Sequence, residues 1–363
     1  MLPVLFTLSI PAAWSKPLLA LAVLAVALAR AWSFRRRPAE EGRERPGWGA
    51  ALWDDKLTLA MLAAGAAAVW RAGLLDADLS LPLHTYGLMI ASGFVAAIWL
   101  AQREARRQGQ DAERVGDLAF WVLVSALVGS RLYFIAVNWA DYFGEGAWVT
   151  LRGTRIPRVL AIWEGGLVFY GGFMGAALTA WWYMRRQGMR FLPYADTLIP
   201  SVAIGHFFGR LGCFAAGCCW GAVSHSHVPW LAKFPPASLA YQAFAGRANS
   251  GELIAPDRLT TMPVHPTQLY ESLGELALFA LLVFVVRPNK RFHGQVFATW
   301  LMVYAVLRTV VELFRGDVER GVVAGLGVGQ WTSMAIFAVG VAVWAIGRRQ
   351  GALAREDRAA LAT

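Results

Sequence analysis

Apolar runs of about 17–25 residues, long enough to cross the hydrocarbon core of a bilayer, recur along the chain with short polar segments between them. They fall near 14–33, 54–72, 84–102, 116–138, 162–184, 196–220, 267–287, 294–314 and 328–347. This pattern predicts an all-α, polytopic integral membrane protein with about nine transmembrane helices. Residues 1–80 form an N-terminal extension with two transmembrane helices, rich in Ala and Leu and free of unusual polar residues. Residues 81–348 form a seven-span core, with a small external segment at 221–265, and 349–363 form a cytoplasmic tail.

Composition agrees with the pattern. The chain is 57% hydrophobic and 16% charged, with mean hydropathy +0.45. A soluble domain carries about a quarter charged residues, so lipid must cover much of this apolar surface. Disordered and collagenous classes are excluded, and three cysteines among 363 residues are too few for a disulfide framework.

The net charge of +10 has no soluble basic domain to carry it, so no nucleic acid is expected as a partner. Its distribution instead sets the orientation. One alternating set of loops, from Arg35–Arg37 through to Arg355 and Arg358, holds 20 lysines and arginines, and the other set holds 10. The richer set faces the cytoplasm, which puts the N-terminus outside and the C-terminus inside. The first apolar stretch has no basic residue before Lys16 and a basic cluster after it. It therefore reads as an anchor rather than a cleaved signal peptide.

Charged residues within apolar segments carry the chemical information. Arg131, Arg210, Arg308, Glu164, Glu271 and Glu312 all fall there. A charge near the bilayer centre costs about 2.5–3.5 kcal/mol on insertion scales, and arginine does not escape by losing its proton. One reading is structural pairing: Arg308 and Glu312 stand four apart on one helix face. The other is that two or more arginines grip an anionic headgroup, since guanidinium matches phosphate as a bidentate fork. By depth, Arg210 lies near mid-span and Arg131 and Arg308 toward the outer side, implying a pocket open to the outer leaflet.

Two glycine-rich segments stand out, EGGLVFYGGFMG (164–175) and GRLGCFAAGCCWG (209–221). They serve close helix packing, or a bent segment whose backbone amides meet a ligand, or both. Cys213, Cys218 and Cys219, followed by His225 and His227, fit no standard metal spacing and include no Cys-x-x-Cys motif. Small buried packing residues are their expected role, and no metal site is expected. The run HPTQLYE (265–271) places His265, Gln268, Tyr270 and Glu271 at the outer mouth of a span.

At these residues the sequence resembles the bacterial prolipoprotein diacylglyceryl transferases, from about residue 82 to 348. The resemblance rests on HTYGLM (84–89), VGSRLYF (128–134), WEGGLVFYGG (163–172), IPSVAIGHFFGRLGCF (199–214), HPTQLYE (265–271) and YAVLRTVVELFR (304–315), in order and at matched spacing. It implies that Arg210 and Arg308 bind the headgroup phosphate, and with Tyr170 and Glu164 beside them these are the expected catalytic residues. It further implies that Tyr86, Arg131, Gly171, Gly172, Gly209, Gly212, Gln268, Tyr270, Glu271, Tyr304, Glu312 and Arg315 shape the substrate cavity. The implied reaction moves the diacylglyceryl group of phosphatidylglycerol onto the lipobox cysteine thiol of a prolipoprotein signal peptide, without metal or organic cofactor. The implied location is the bacterial cell inner membrane.

Several positions depart from the family pattern. Tyr170 stands where the family reads His-Gly-Gly, and Cys213, Ala216 and Cys218 replace two amides and a carboxylate of its G-R-x-G-N-F-x-N-G-E signature. A phenol with a pKa near 10 is a poor general base at neutral pH. The alternatives are a phospholipid-binding paralogue with a changed acceptor or no catalysis, and a membrane thiol oxidoreductase using Cys213 and Cys218.

Overall fold

The computed structural model describes residues 79–316, apart from 145, 152–153, 162–164 and 227, together with 322–323 and 326–360. Of the first 78 residues it describes 4–10 and isolated positions between 17 and 25 and between 60 and 67. The expected spans at 14–33 and 54–72 therefore lie largely outside the described residues.

The expectation of a mostly helical, multi-pass membrane protein holds. Among the described residues, six helices are long and apolar enough to cross a bilayer. We name the long helices α1 (Thr85–Arg107), α2 (Ala112–Val137), α3 (Phe169–Arg186), α4 (Phe191–Ala216), α5 (Thr267–Val286), α6 (Gln295–Glu312) and α7 (Val328–Ala360). The six are these without α3, whose 18 residues end in Arg185 and Arg186. The span expected at 162–184 thus starts later than the hydropathy suggests. Gly165 and Gly166 take φ of +83° and +81°, and Val168 is extended. Only glycine adopts that left-handed backbone cheaply, so the helix cannot begin before Phe169.

The chain divides into two compact units. One contains residues 6–83 and 135–166, where Trp148–Leu151 pairs antiparallel with Thr154–Pro157. The other contains His84–Phe134 and Leu167–Thr363 and holds the residues of interest.

In this larger unit, α4 packs against α1, α5 and α6, and α6 packs against α7. Lipid offers no hydrophobic drive for helices to associate, so close backbone approach through small residues takes its place. A Cβ on Gly93 of α1 would lie 2.8 Å from the Phe208 Cβ of α4. A Cβ on Gly129 of α2 would lie 2.5 Å from the Gly171 carbonyl oxygen of α3, and one on Gly171 would strike the Gly129 carbonyl and Tyr133. The α2–α3 crossing is further tied by Ser130 Oγ, which donates to the Val168 carbonyl at 2.6 Å.

A buried carboxylate organises the basic ends of these helices. Asp196 of α4 is 1% exposed and accepts from the backbone N–H groups of Gly294 (2.7 Å) and Phe297 (2.9 Å), capping the start of α6. Lys290 neutralises it at 2.8 Å. Nearby, Arg287 pairs with the buried Glu104 of α1 at 2.9 Å. Residues 221–265 fold into short bridges and helices around Phe234, Ala240, Phe244 and Val264, all fully or nearly buried.

The glycine crossings generate a contrast. Gly171→Ala should destabilise the protein by about 1–3 kcal/mol through overpacking against backbone that cannot yield. Gly209→Ala meets only the Ile90 Cδ1 at 3.8 Å, an ordinary contact, and should be tolerated. Thermal unfolding of the two variants in detergent checks the difference.

Candidate active site

The charged residues of α4, α5 and α6 converge. Arg210 donates through Nη2 to Glu271 Oε1 (2.8 Å) and through Nε to His206 Nε2 (3.2 Å). His206 Nδ1 stands 2.7 Å from Glu275 Oε1. An arginine Nε can only donate, so His206 Nε2 must accept. The neutral ring then carries its proton on Nδ1 and donates it to Glu275. His206 and Arg210 are one turn apart on α4, and Glu271 and Glu275 are one turn apart on α5, so two i, i+4 pairs interlock. Glu271 and Glu275 are 1% and 0% exposed. Carboxylates so deeply placed are tolerable only because a guanidinium and an imidazole meet them.

The third wall comes from α6. Tyr304 stacks on Trp300, with rings 5.2 Å apart and nearly parallel, and its ring lies 5.6 Å from that of His206. It sits within electrostatic reach of Arg210, Arg308, Glu271 and Glu275 together. One turn further along α6, Arg308 Nη2 meets Glu312 at 2.7 Å, the pair expected from their spacing. Arg308 Nη1 is buried and has no hydrogen-bond partner among the described residues. A buried, charged donor left open this way is an unusual expense for a protein.

Around the C-terminal end of α4 the remaining polar residues gather. Gln268 Nε2 donates to the Cys218 carbonyl (2.6 Å) and Thr267 Oγ1 to the Cys219 carbonyl (2.8 Å). His265 Nδ1 pairs with the Tyr270 hydroxyl at 3.1 Å. Tyr86 of α1 lies against Gly212, where a Cβ would come 3.2 Å from its ring, and it feels the charge of Arg210. Arg315 bridges to Gly221 through the backbone and acts electrostatically on Cys219. The Sγ atoms of Cys213, Cys218 and Cys219 all lie within 4.8 Å of one another, and the three thiols are free.

A family model described as prolipoprotein diacylglyceryl transferase matches residues 74–346. The chain belongs to the prolipoprotein diacylglyceryl transferase family. Among its relatives is a phosphatidylglycerol–prolipoprotein diacylglyceryl transferase of Mycobacteroides abscessus, 31% identical over 299 residues, which cover 81% of this chain and 79% of that one. Proteins of the same name from Ralstonia pickettii and Proteus mirabilis are 31% and 32% identical, covering 75% and 73% of this chain and 92% and 89% of theirs.

Within this diacylglyceryl transferase fold, the expected residues separate into two groups. Arg210, Glu271 and Tyr304 form one connected cluster, with Arg308 and Glu312 beside it and Tyr86, Gln268 and Arg315 at its edge. Gln268 is engaged in holding the turn after α4, and Tyr270 in a pair with His265. Gly171 and Gly212 sit at helix crossings, Gly172 lies beside the Ala126 carbonyl at 3.2 Å, and Gly209 has space around it. Arg131 is buried on α2 with its guanidinium 6.0 Å from the Phe134 ring centre. Tyr170 is 59% exposed on the first turn of α3, edge-on to Phe169. Glu164 lies outside the described residues.

Sequence reading missed His206 and Glu275. Both lie one helical turn from a charged residue that it singled out. Asking what could satisfy Arg210 at i−4 and Glu271 at i+4 would have found them.

The network makes Glu271 the chief counter-charge of Arg210. Glu271→Ala should cost about 3–5 kcal/mol, because it strands a largely buried guanidinium. Glu271→Gln, which still accepts a hydrogen bond, should cost less. Denaturation of the two variants in mixed micelles measures the difference.

Proposed function

We propose that this chain transfers the diacylglyceryl group of phosphatidylglycerol to the lipobox cysteine thiol in a prolipoprotein signal peptide. The observation that carries the reading is the pair of largely buried arginines on α4 and α6, with side chains 17% and 12% exposed, Tyr304 in electrostatic reach of both, and the open, buried Nη1 of Arg308.

In this reaction the acceptor sulfur bonds to the glycerol carbon as that carbon's bond to the phosphate oxygen breaks. The thiol proton leaves with the glycerol phosphate, and a thioether remains. The barrier lies in parting negative phosphate from carbon in an apolar site. Arg210 and Arg308 would hold that phosphate in the ground state and stabilise its growing charge as the bond lengthens. Their orientation is set in advance by Glu271, His206 and Glu312, so little reorganisation is needed when the lipid arrives. The same positive field would favour the thiolate of the incoming cysteine, whose free pKa is about 8.5. Tyr86, Gln268 and Arg315 would border the cavity.

The excess of basic residues in alternate loops supports an inner-membrane orientation with the N-terminus outside and the C-terminus in the cytoplasm. The reading then places the pocket toward the outer leaflet, where secreted precursors emerge.

Complementation of a transferase-depleted bacterium tests the proposal. The unmutated chain should restore lipoprotein maturation. Arg210→Ala and Arg308→Ala should fail while still accumulating in the membrane, with turnover in purified protein reduced by about 10²–10³-fold. Wild-type turnover in both arginine variants would overturn the reading.

A further inference from the structure

The three cysteines come together in space, and the end of α4 explains how they meet. The Gly217 N–H donates to the Phe214 carbonyl at 3.1 Å and the Cys218 N–H to the Cys213 carbonyl at 3.0 Å. With Gly217 at φ +69°, this is a Schellman turn, in which the side chain three residues before the end of the helix meets the one just beyond it. Those two positions normally make an apolar contact; here both are cysteine.

The next residue, Cys219, takes φ +59°, a left-handed backbone that a non-glycine side chain rarely adopts. That conformation turns the third thiol back onto the other two. It is held in place because Gln268 and Thr267 grip the Cys218 and Cys219 carbonyls from α5. Strain maintained by surrounding contacts is a mark of functional positions. Arg210, three residues before Cys213 on the same helix face, supplies positive charge beside the cluster.

We propose that Cys213, Cys218 and Cys219 bind one copper(I) ion as a three-thiolate site at the C-terminal end of α4. Three sulfurs around one ion at about 2.3 Å stand about 4 Å apart, and these three already lie within 4.8 Å of one another. The donor set selects the metal. Among the described residues the group contains no histidine or carboxylate. Soft, sulfur-only ligation favours copper(I), whereas structural zinc takes four protein ligands. The positive field of Arg210 and Arg315 offsets the excess negative charge of three thiolates on a monovalent ion. Binding requires release of the thiol protons and no redox step.

The test uses the full-length, reduced protein in detergent, titrated without oxygen with copper(I) bicinchoninate. One copper per chain should transfer from the chelator, and X-ray absorption of the unmutated protein should show a shell of three sulfurs. Each of Cys213→Ser, Cys218→Ser and Cys219→Ser should weaken binding by more than about tenfold. The absorption spectrum needs no variant, so a serine protein that misfolds does not remove the test. Nitrogen or oxygen in the first shell, equal copper uptake by the triple serine variant, or tighter binding of zinc would each overturn the assignment. So would recovery of the protein with two of the three sulfurs in a disulfide and no copper uptake after reduction.

Discussion

An arginine inside a bilayer keeps its proton, so its charge must be met by the protein, by water or by a ligand. Much of the ordering around α4, α5 and α6 follows from Arg210 and Arg308. Arg210 draws Glu271 into complete burial, His206 fills the remaining direction at Nε, and Glu275 then fixes the His206 ring. Arg308 is answered only in part, by a glutamate on its own helix. Structural pairing and headgroup binding are therefore not rival accounts of these arginines. The glutamates neutralise and orient the guanidiniums in the absence of lipid, and the unused donor capacity is what a phosphate would take up.

The scaffold keeps this polar centre in register. Glycines at the α1–α4 and α2–α3 crossings bring backbones close enough that a single methyl would collide. Away from the cluster, Asp196 fastens α4 to the start of α6, and Arg287 with Glu104 ties the end of α5 to α1. Helices fixed at their far ends by ion pairs and along their length by small residues hold Arg210 against Glu271 without a hydrophobic driving force.

Much of this was legible in the chain. Hydropathy places α1, α2, α4, α5 and α6 to within five residues, because the bilayer demands length and apolarity more strictly than any soluble core does; α7 starts where expected but runs on to Ala360, through most of the stretch read as a tail. Hydropathy misplaces the start of α3, since Gly165 and Gly166 are permissive of a bend but do not announce one. The Arg308–Glu312 pair follows from spacing alone. Arg210–Glu271 needs two helices to be brought together, which no local pattern encodes. His206 and Glu275 were overlooked because each gains its role from a partner on the other helix, and only their i, i+4 spacing from Arg210 and Glu271 hints at it. The proximity of the three cysteines was not legible, for a subtler reason. A spacing of five fits no metal motif on a continuous helix, and only the Schellman turn at Gly217 makes it a contact.

The central claim is that the open faces of Arg210 and Arg308 hold the phosphate of a phospholipid. Structure determination of the chain in nanodiscs containing phosphatidylglycerol tests it most directly. The account requires headgroup phosphate oxygens within hydrogen-bond distance of both guanidiniums, with Arg308 Nη1 no longer unpaired. A lipid phosphate seated elsewhere, with Arg210 still engaged only by Glu271 and His206 and Arg308 only by Glu312, would contradict it.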